Sequence, residues 1–270
     1  MDAGQQRKQD APREKILNLP GAVTTLAMTF IAIHALVVYG PEQLAQTIFD
    51  SFAFIPARFA FQFDPNAVLG RLATIRDHSP IEMSRIARAL NTGFAAYFSP
   101  LSYAFLHGDW AHLSVNVLSL TAFGPPVARR LGTSLFLAFA GVCAIAGAMT
   151  HFALHVYDLN PVIGASAAIS GTMGAIARFA FTPGSRLSGE RVHGSGLFDI
   201  DPRIVPLSRL GANRQAMLFV SIWLGLNFLL GAFPQAAGVS GSIAWEAHFG
   251  GFVFGLLFFG FFDRAARNAV

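Results

Sequence analysis

"HLSVNVLSLTAFGPPVARRLGTSLFLAFAGVCAIAGAMTHF" (residues 112–152) decides how this chain is built. Two apolar runs, 112–128 and 133–152, flank the basic pair Arg129 and Arg130. A helix needs roughly 17–25 predominantly apolar residues to cross about 30 Å of hydrocarbon, and each run has that length. In the first run Pro125 and Pro126 predict the end of the regular helix. Proline removes a backbone donor and disfavours helical geometry in the residue before it. The arginines between the runs read as a turn on the side of the membrane that retains positive charge.

Outward from this stretch, runs of the same kind occur at 21–39, 164–181, 215–233 and 243–262, so six spans are expected. The composition agrees. Of 270 residues 53% are hydrophobic and 13% charged, with mean hydropathy +0.50. Soluble domains carry about a quarter charged residues, so an all-α polytopic membrane protein is expected instead. Six arginines fall within 178–214, and Arg264 and Arg267 follow the last run, whereas 153–163 and 234–242 contain no Lys or Arg. This asymmetry predicts that both termini are cytoplasmic. The arginines of 40–111 then lie outside, where long loops obey the rule poorly.

The net charge of +4 is thereby used for topology. No basic stripe with interleaved aromatics points to nucleic acid; the expected partner is the bilayer. The single cysteine, Cys143, excludes an internal disulfide. Residues 1–20 read as a cytoplasmic tail and 263–270 as a second one. The first run is long, follows a polar tail and lacks a small-x-small cleavage site, so it reads as a span and not as a signal peptide. Residues 40–97 form an outer or interfacial segment. Within it "FDSFAFIPARFAFQF" (49–63) suits either the membrane interface or an extra helix packed on the bundle. The loop 182–212, rich in Gly, Ser, Pro and Arg, reads as irregular.

In this topology spans two, four and six all begin at the outer face, and there polar residues gather. The three openings are "HGDWAHLSVN" (107–116), "GASAAISG" (164–171) and "WEAHFGGFVFG" (245–255). Polar groups in hydrocarbon are costly unless bonded, so each needs a reason. Ser166, Ser170 and Gly174 form a small-residue stripe at i, i+4, i+8, and Gly251 and Gly255 share a face with His248. Two bare stripes allow a Ser–His approach of about 2.6–3.2 Å. Glu246 stands about 200° round the helix from His248, which predicts a dyad without an orienting carboxylate. His112 and Asn116, one turn apart, could supply hydrogen-bond donors to an oxyanion, as could the N–H groups that open span four. His151 and His155, with His107, form a weak metal candidate: no carboxylate or cysteine stands at ligand spacing, so no metal and no cofactor are expected. No H-E-x-x-H and no paired membrane aspartates occur.

Across 98–262 the segments "FLHGDWAHLSVNVLSL" (105–120), "GASAAISG" (164–171) and "HFGGFVFG" (248–255), in this order, resemble the rhomboid family of intramembrane serine proteases. The resemblance implies a six-helix catalytic core over 98–262. Gly164-Ala165-Ser166 matches the family's G-x-S-G motif. That implies Ser166 as nucleophile, His248 as general base, and His112, Asn116 and the Ser166 N–H around the oxyanion. Ser170, Gly164, Gly174, Gly251 and Gly255 become packing residues. The sequence departs from the family at Ala167, usually Gly, and at Ser170, often aromatic. The implied activity is cleavage of transmembrane protein substrates near the outer face of a bacterial inner membrane, at helix-destabilising segments with a small residue before the scissile bond. Two other readings are an inactive rhomboid-like protein that binds membrane clients and a small transporter. The transporter fits less well, because the polar groups gather at one face instead of crossing the bilayer.

Overall fold

The computed structural model describes residues 19–75, 80–182, 204–233 and 243–268. The expected N-terminal tail, most of the irregular loop 182–212 and the arginine-free stretch 234–242 lie outside the described residues. In chain order the helices are α1 (Gly21–Tyr39), α2 (Glu42–Phe52), α3 (Pro56–Phe61), α4 (Pro65–Ile75), α5 (Pro80–Leu90), α6 (Ala95–Ser102), α7 (Trp110–Leu154), α8 (Ser166–Ile176), α9 (Leu207–Leu210), α10 (Arg214–Ala232) and α11 (Trp245–Asn268). Among the described residues no strand forms, and four helices are long and apolar enough to cross a membrane: α1, α7, α10 and α11.

The first is ended by its sequence. A Cβ on Gly40 would stand 2.3 Å from the Leu36 carbonyl oxygen, and Pro41 follows. Val23, Ala27, Phe30 and His34, spaced by three and four, form the buried face of α1. Met28, Leu36 and Val38 stay exposed, as expected of a surface meeting lipid.

The long helix α7 contains both runs of the opening stretch. Its 45 residues would reach about 67 Å if straight. Gly132 breaks it with a φ of 74°, a left-handed value that L side chains rarely adopt. A Cβ on Gly124 would lie 3.7 Å from the ring tip of Phe136, although twelve residues of straight helix separate points by about 18 Å. The arms 110–131 and 133–154 therefore fold back on one another. The expected stop at Pro125 and Pro126 is wrong: the helix continues through both. Burial of Gly124, Pro125, Val127 and Ala128 against the core with Val23 and Phe136 outweighs the lost backbone bonds. The chain turns at the glycine instead.

Short α8 is the centre of the bundle, packed between α7 and α11. Only 11 residues are helical where a span over 164–181 was expected. Eight of them are buried, which suits a helix apolar on every side. Below it Arg178 donates to the carbonyls of Val205 (2.7 Å) and Leu256 (2.6 Å) and ties off the chain. The expected tail from 263 is also helical, as the end of α11. There Asp263, 1% exposed, pairs with Arg130 and with Arg267 one turn on.

The stretch 49–63 packs on the bundle. Phe54 is fully buried and exchanges backbone hydrogen bonds with Val162, and the Ala57 N–H donates to the Asp158 carbonyl. The buried Arg58 guanidinium donates to the carbonyls of Asp50 and Ala53. Desolvation lowers its pKa from the ordinary arginine value. Tyr103 then fastens this segment to the bundle: its hydroxyl donates to the Ala144 carbonyl (2.9 Å), and its own carbonyl accepts from the Gly164 N–H (3.0 Å). That second bond fixes the residue two positions before Ser166.

Candidate active site

Ser166 is the first residue of α8. Ala165 offers no side-chain cap, so the first N–H groups of the helix have no intrahelical acceptor. Gly164, with a φ of 113°, brings the chain into this start. A Cβ there would stand 2.7 Å from His112 Nε2 and 3.8 Å from Ser166 Oγ. Glycine is thus needed twice, for the backbone angle and for the close approach of the His112 ring. The imidazole of His112 and the hydroxyl of Ser166 share the space a side chain would have filled.

His112 and Asn116 come from the first turns of α7, where the Asp109 carboxylate caps the helix by accepting from the His112 N–H (2.7 Å). Asn116 is buried and donates one amide N–H to the His112 carbonyl (2.9 Å). An amide carries two N–H donors, so a second is left. Behind them His107 packs on Phe30 and His112, with ring centroids 5.5 and 5.2 Å away. Burial, then the neighbouring His112 and His34, push its pKa down to about 3, so it adds no charge here at neutral pH.

His248 lies in the first turns of α11. Its level is fixed by backbone packing. A Cβ on Gly147 would stand 2.5 Å from both the Ala167 methyl and the Ala247 carbonyl oxygen. The residue after Ser166 and the residue before His248 therefore converge on one glycine of α7. The Ala167 methyl lies against the bare backbone of Gly147, which is how this chain accommodates alanine at that position. Among the described residues the Ser166 hydroxyl has no hydrogen-bond partner, and it is only partly buried. Catalytic hydrogen bonds are often long before substrate arrives and tighten in the complex.

The α8–α11 contact corrects the expected stripe. Gly251 packs on the Ala167 carbonyl and Gly255 on the Gly171 carbonyl, where a Cβ would come within 2.1 Å of each oxygen. The α8 face toward α11 is thus Ala167 and Gly171, with Gly174 against Phe252. Ser166 and Ser170 stand one residue round from that seam. Ser170 is buried without a side-chain hydrogen bond among the described residues, as a packing residue.

Asn227 of α10 was not foreseen. Its side-chain N–H donates to the Trp245 carbonyl (3.1 Å), and its Oδ1 stands 2.9 Å from His248 Nδ1. A carbonyl can only accept, so the first bond fixes which way the amide points. The His248 Nδ1 must then carry the proton, and Nε2 keeps its lone pair free as a base. One signal in the sequence could have found it: a polar residue inside an apolar span, "LGLNFLLG" (224–231).

Glu246 does turn away from His248, yet it has partners. Its carboxylate lies 3.4 Å from His151 Nδ1 and 3.0 Å from His155 Nε2. The expectation that no carboxylate accompanies these histidines is wrong. The carboxylate comes from another helix, where spacing along the chain cannot reveal it. His107 is not part of this group.

A family model described as the Rhomboid domain matches residues 95–264. Over 184 residues the chain is 28% identical to "Rhomboid protein 1, mitochondrial" of Saccharomyces cerevisiae, a match covering 63% of this chain and 43% of that protein. The chain thus spans less than half the length of this curated relative.

Proposed function

The chain belongs to the rhomboid family, and from that premise we propose that it is an intramembrane serine endopeptidase acting on transmembrane segments of other proteins. The observation that carries the reading is the bond of Asn227 to His248, which puts the proton on Nδ1 and leaves the Nε2 lone pair as the base. An amide in place of a carboxylate orients a histidine without adding a charge, an arrangement used with Cys-His pairs in other hydrolases.

Ser166 Oγ attacks the scissile carbonyl as His248 Nε2 takes its proton. The negative charge on the former carbonyl oxygen meets the Ser166 N–H, His112 and the free amide N–H of Asn116. Such donors are each worth about 3–4 kcal/mol in the transition state. His248 returns the proton to the leaving amine, and then activates the water that releases the acyl-enzyme. A helical substrate has its carbonyls internally bonded, so it must unwind locally, which favours helix-destabilising segments with a small residue before the cleaved bond.

The two arms of α7, with α1, α8, α10 and α11, are read as six passes that begin and end on the same side. The arginine asymmetry supports an active site facing outward in a bacterial inner membrane. Arg130, Arg178 and Arg267 at the opposite end of the bundle agree with that orientation.

Cleavage of a membrane-protein reporter by the purified chain in detergent tests this reading. Ser166→Ala and His248→Ala are each expected to lower kcat by at least about 10⁴-fold, as for residues that act as one unit. Ser170→Ala should stay near parental rates. Full activity in Ser166→Ala would overturn the assignment, and inactivity of the parent toward every reporter would favour an inactive client-binding protein.

A further inference from the structure

His151 lies in the last turn of α7 and His155 is the residue that follows the end of that helix, with their ring centroids 4.6 Å from one another. Glu246, in the first turn of α11, reaches across to both, with oxygens 3.4 Å from His151 Nδ1 and 3.0 Å from His155 Nε2. One donor atom from each of the three residues lies within 4.8 Å of the others. Around a tetrahedral ion with bonds of about 2.0–2.1 Å, neighbouring donors stand about 3.3 Å apart. Binding such an ion would draw the donors together by no more than about 1.5 Å.

We propose that His151, His155 and Glu246 form a binding site for a divalent transition-metal ion of the zinc class. Two imidazoles and one carboxylate are borderline donors, which suit zinc and exclude magnesium and calcium, whose sites are built from oxygen. Three protein ligands leave one position of a tetrahedron for water. Access is provided by His155, whose side chain is 40% exposed, while those of His151 and Glu246 are 8% and 12% exposed and line the inner wall. One ion would be held by all three side chains together.

The site also has a structural consequence. It joins the end of α7 to the start of α11 through the residue next to Trp245, whose carbonyl holds Asn227. An occupied site fastens this junction, so metal raises the thermal stability of the whole chain. The proposal uses neither Ser166 nor His248, and it stands or falls apart from the protease reading.

The full chain, without an affinity tag, is stripped with a chelator in detergent and titrated with Zn²⁺ alone against a chromophoric competitor. One Zn²⁺ per chain is expected, with a rise in Tm on loading. His155→Ala removes a half-exposed ligand, and Glu246→Gln keeps the side chain's shape. Each should weaken binding by at least about tenfold and abolish the rise in Tm. No stoichiometric binding by the parent would overturn the proposal in favour of a hydrogen-bonded His–Glu–His clamp. Equal binding by the parent and either folded variant would overturn it as adventitious.

Discussion

Helices α8 and α10 both lie against α11, but α8 meets it backbone to backbone while α10 leans on it through side chains. On the α8 side, a Cβ on Gly251, Gly255 or Gly174 would come within 2.3 Å of a carbonyl oxygen across the seam. On the α10 side, Trp223 stacks on Phe252 at 4.0 Å, Asn227 bonds to His248 and Trp245, and Gly225 faces nothing within 4 Å. Only Ala216, Val220 and Asn227 of α10 are buried. Leu218, Ile222, Leu226 and Phe228 are left exposed, as lipid would accept.

The difference separates two tasks. The proposed nucleophile and base are carried by the two helices whose relative position is least adjustable, since backbone cannot yield as a side chain can. The group that aims the base comes from the helix that is least confined. Stability should therefore depend on the small residues of α8 and α11, and catalytic rate on α10.

Substitutions can break that contrast. The largest effect is expected for Gly255→Val, whose new atoms meet the Gly171 backbone. It should lose at least about 3 kcal/mol, the upper range for overpacking, read by thermal unfolding in detergent. A parental Tm would mean that α8 and α11 are not in backbone contact. Next, Asn227→Ala frees the His248 ring and should lower kcat about 10²-fold with little change in KM. Positioned proton transfer as a whole is worth about 10²–10⁴-fold. Its Tm should fall far less than that of Gly255→Val, and an unchanged kcat would remove Asn227 from the mechanism. The smallest effect belongs to Gly225→Ala, which adds a methyl to open space. It should change stability by no more than about 1 kcal/mol, in the stabilising direction that helix propensity favours. A loss as large as that of Gly255→Val would show that α10 is as tightly packed as α8.

Much of this architecture was legible along the chain, because apolar run length and Gly-Pro punctuation are local properties. Gly40-Pro41 stops α1 where the apolar run ends, and α10 begins within one residue of its expected start. What the chain hid is relative rotation and partners from afar. Gly132 and not Pro125 makes the turn, because burial holds the prolines in helical geometry. The α8 seam is one residue round from the expected stripe, and rotation between helices some 80 residues apart leaves no mark in spacing. Glu246 looked unpartnered for the same reason, since its histidines lie at and just past the end of α7. For the candidate site, residue chemistry alone left two serines open, and the motif likeness singled out Ser166. In the structure Ser166 stands beside Gly164 and the His112 ring, while Ser170 is buried in the packing.

The central claim is that Ser166 is a nucleophile activated by His248. Labelling of the detergent-solubilised chain by a serine-directed fluorophosphonate, with the modified residue located by mass spectrometry, tests it most directly. Stoichiometric label is expected on Ser166 and should disappear in His248→Ala. Label on Ser170, or label on Ser166 that persists without His248, would contradict it.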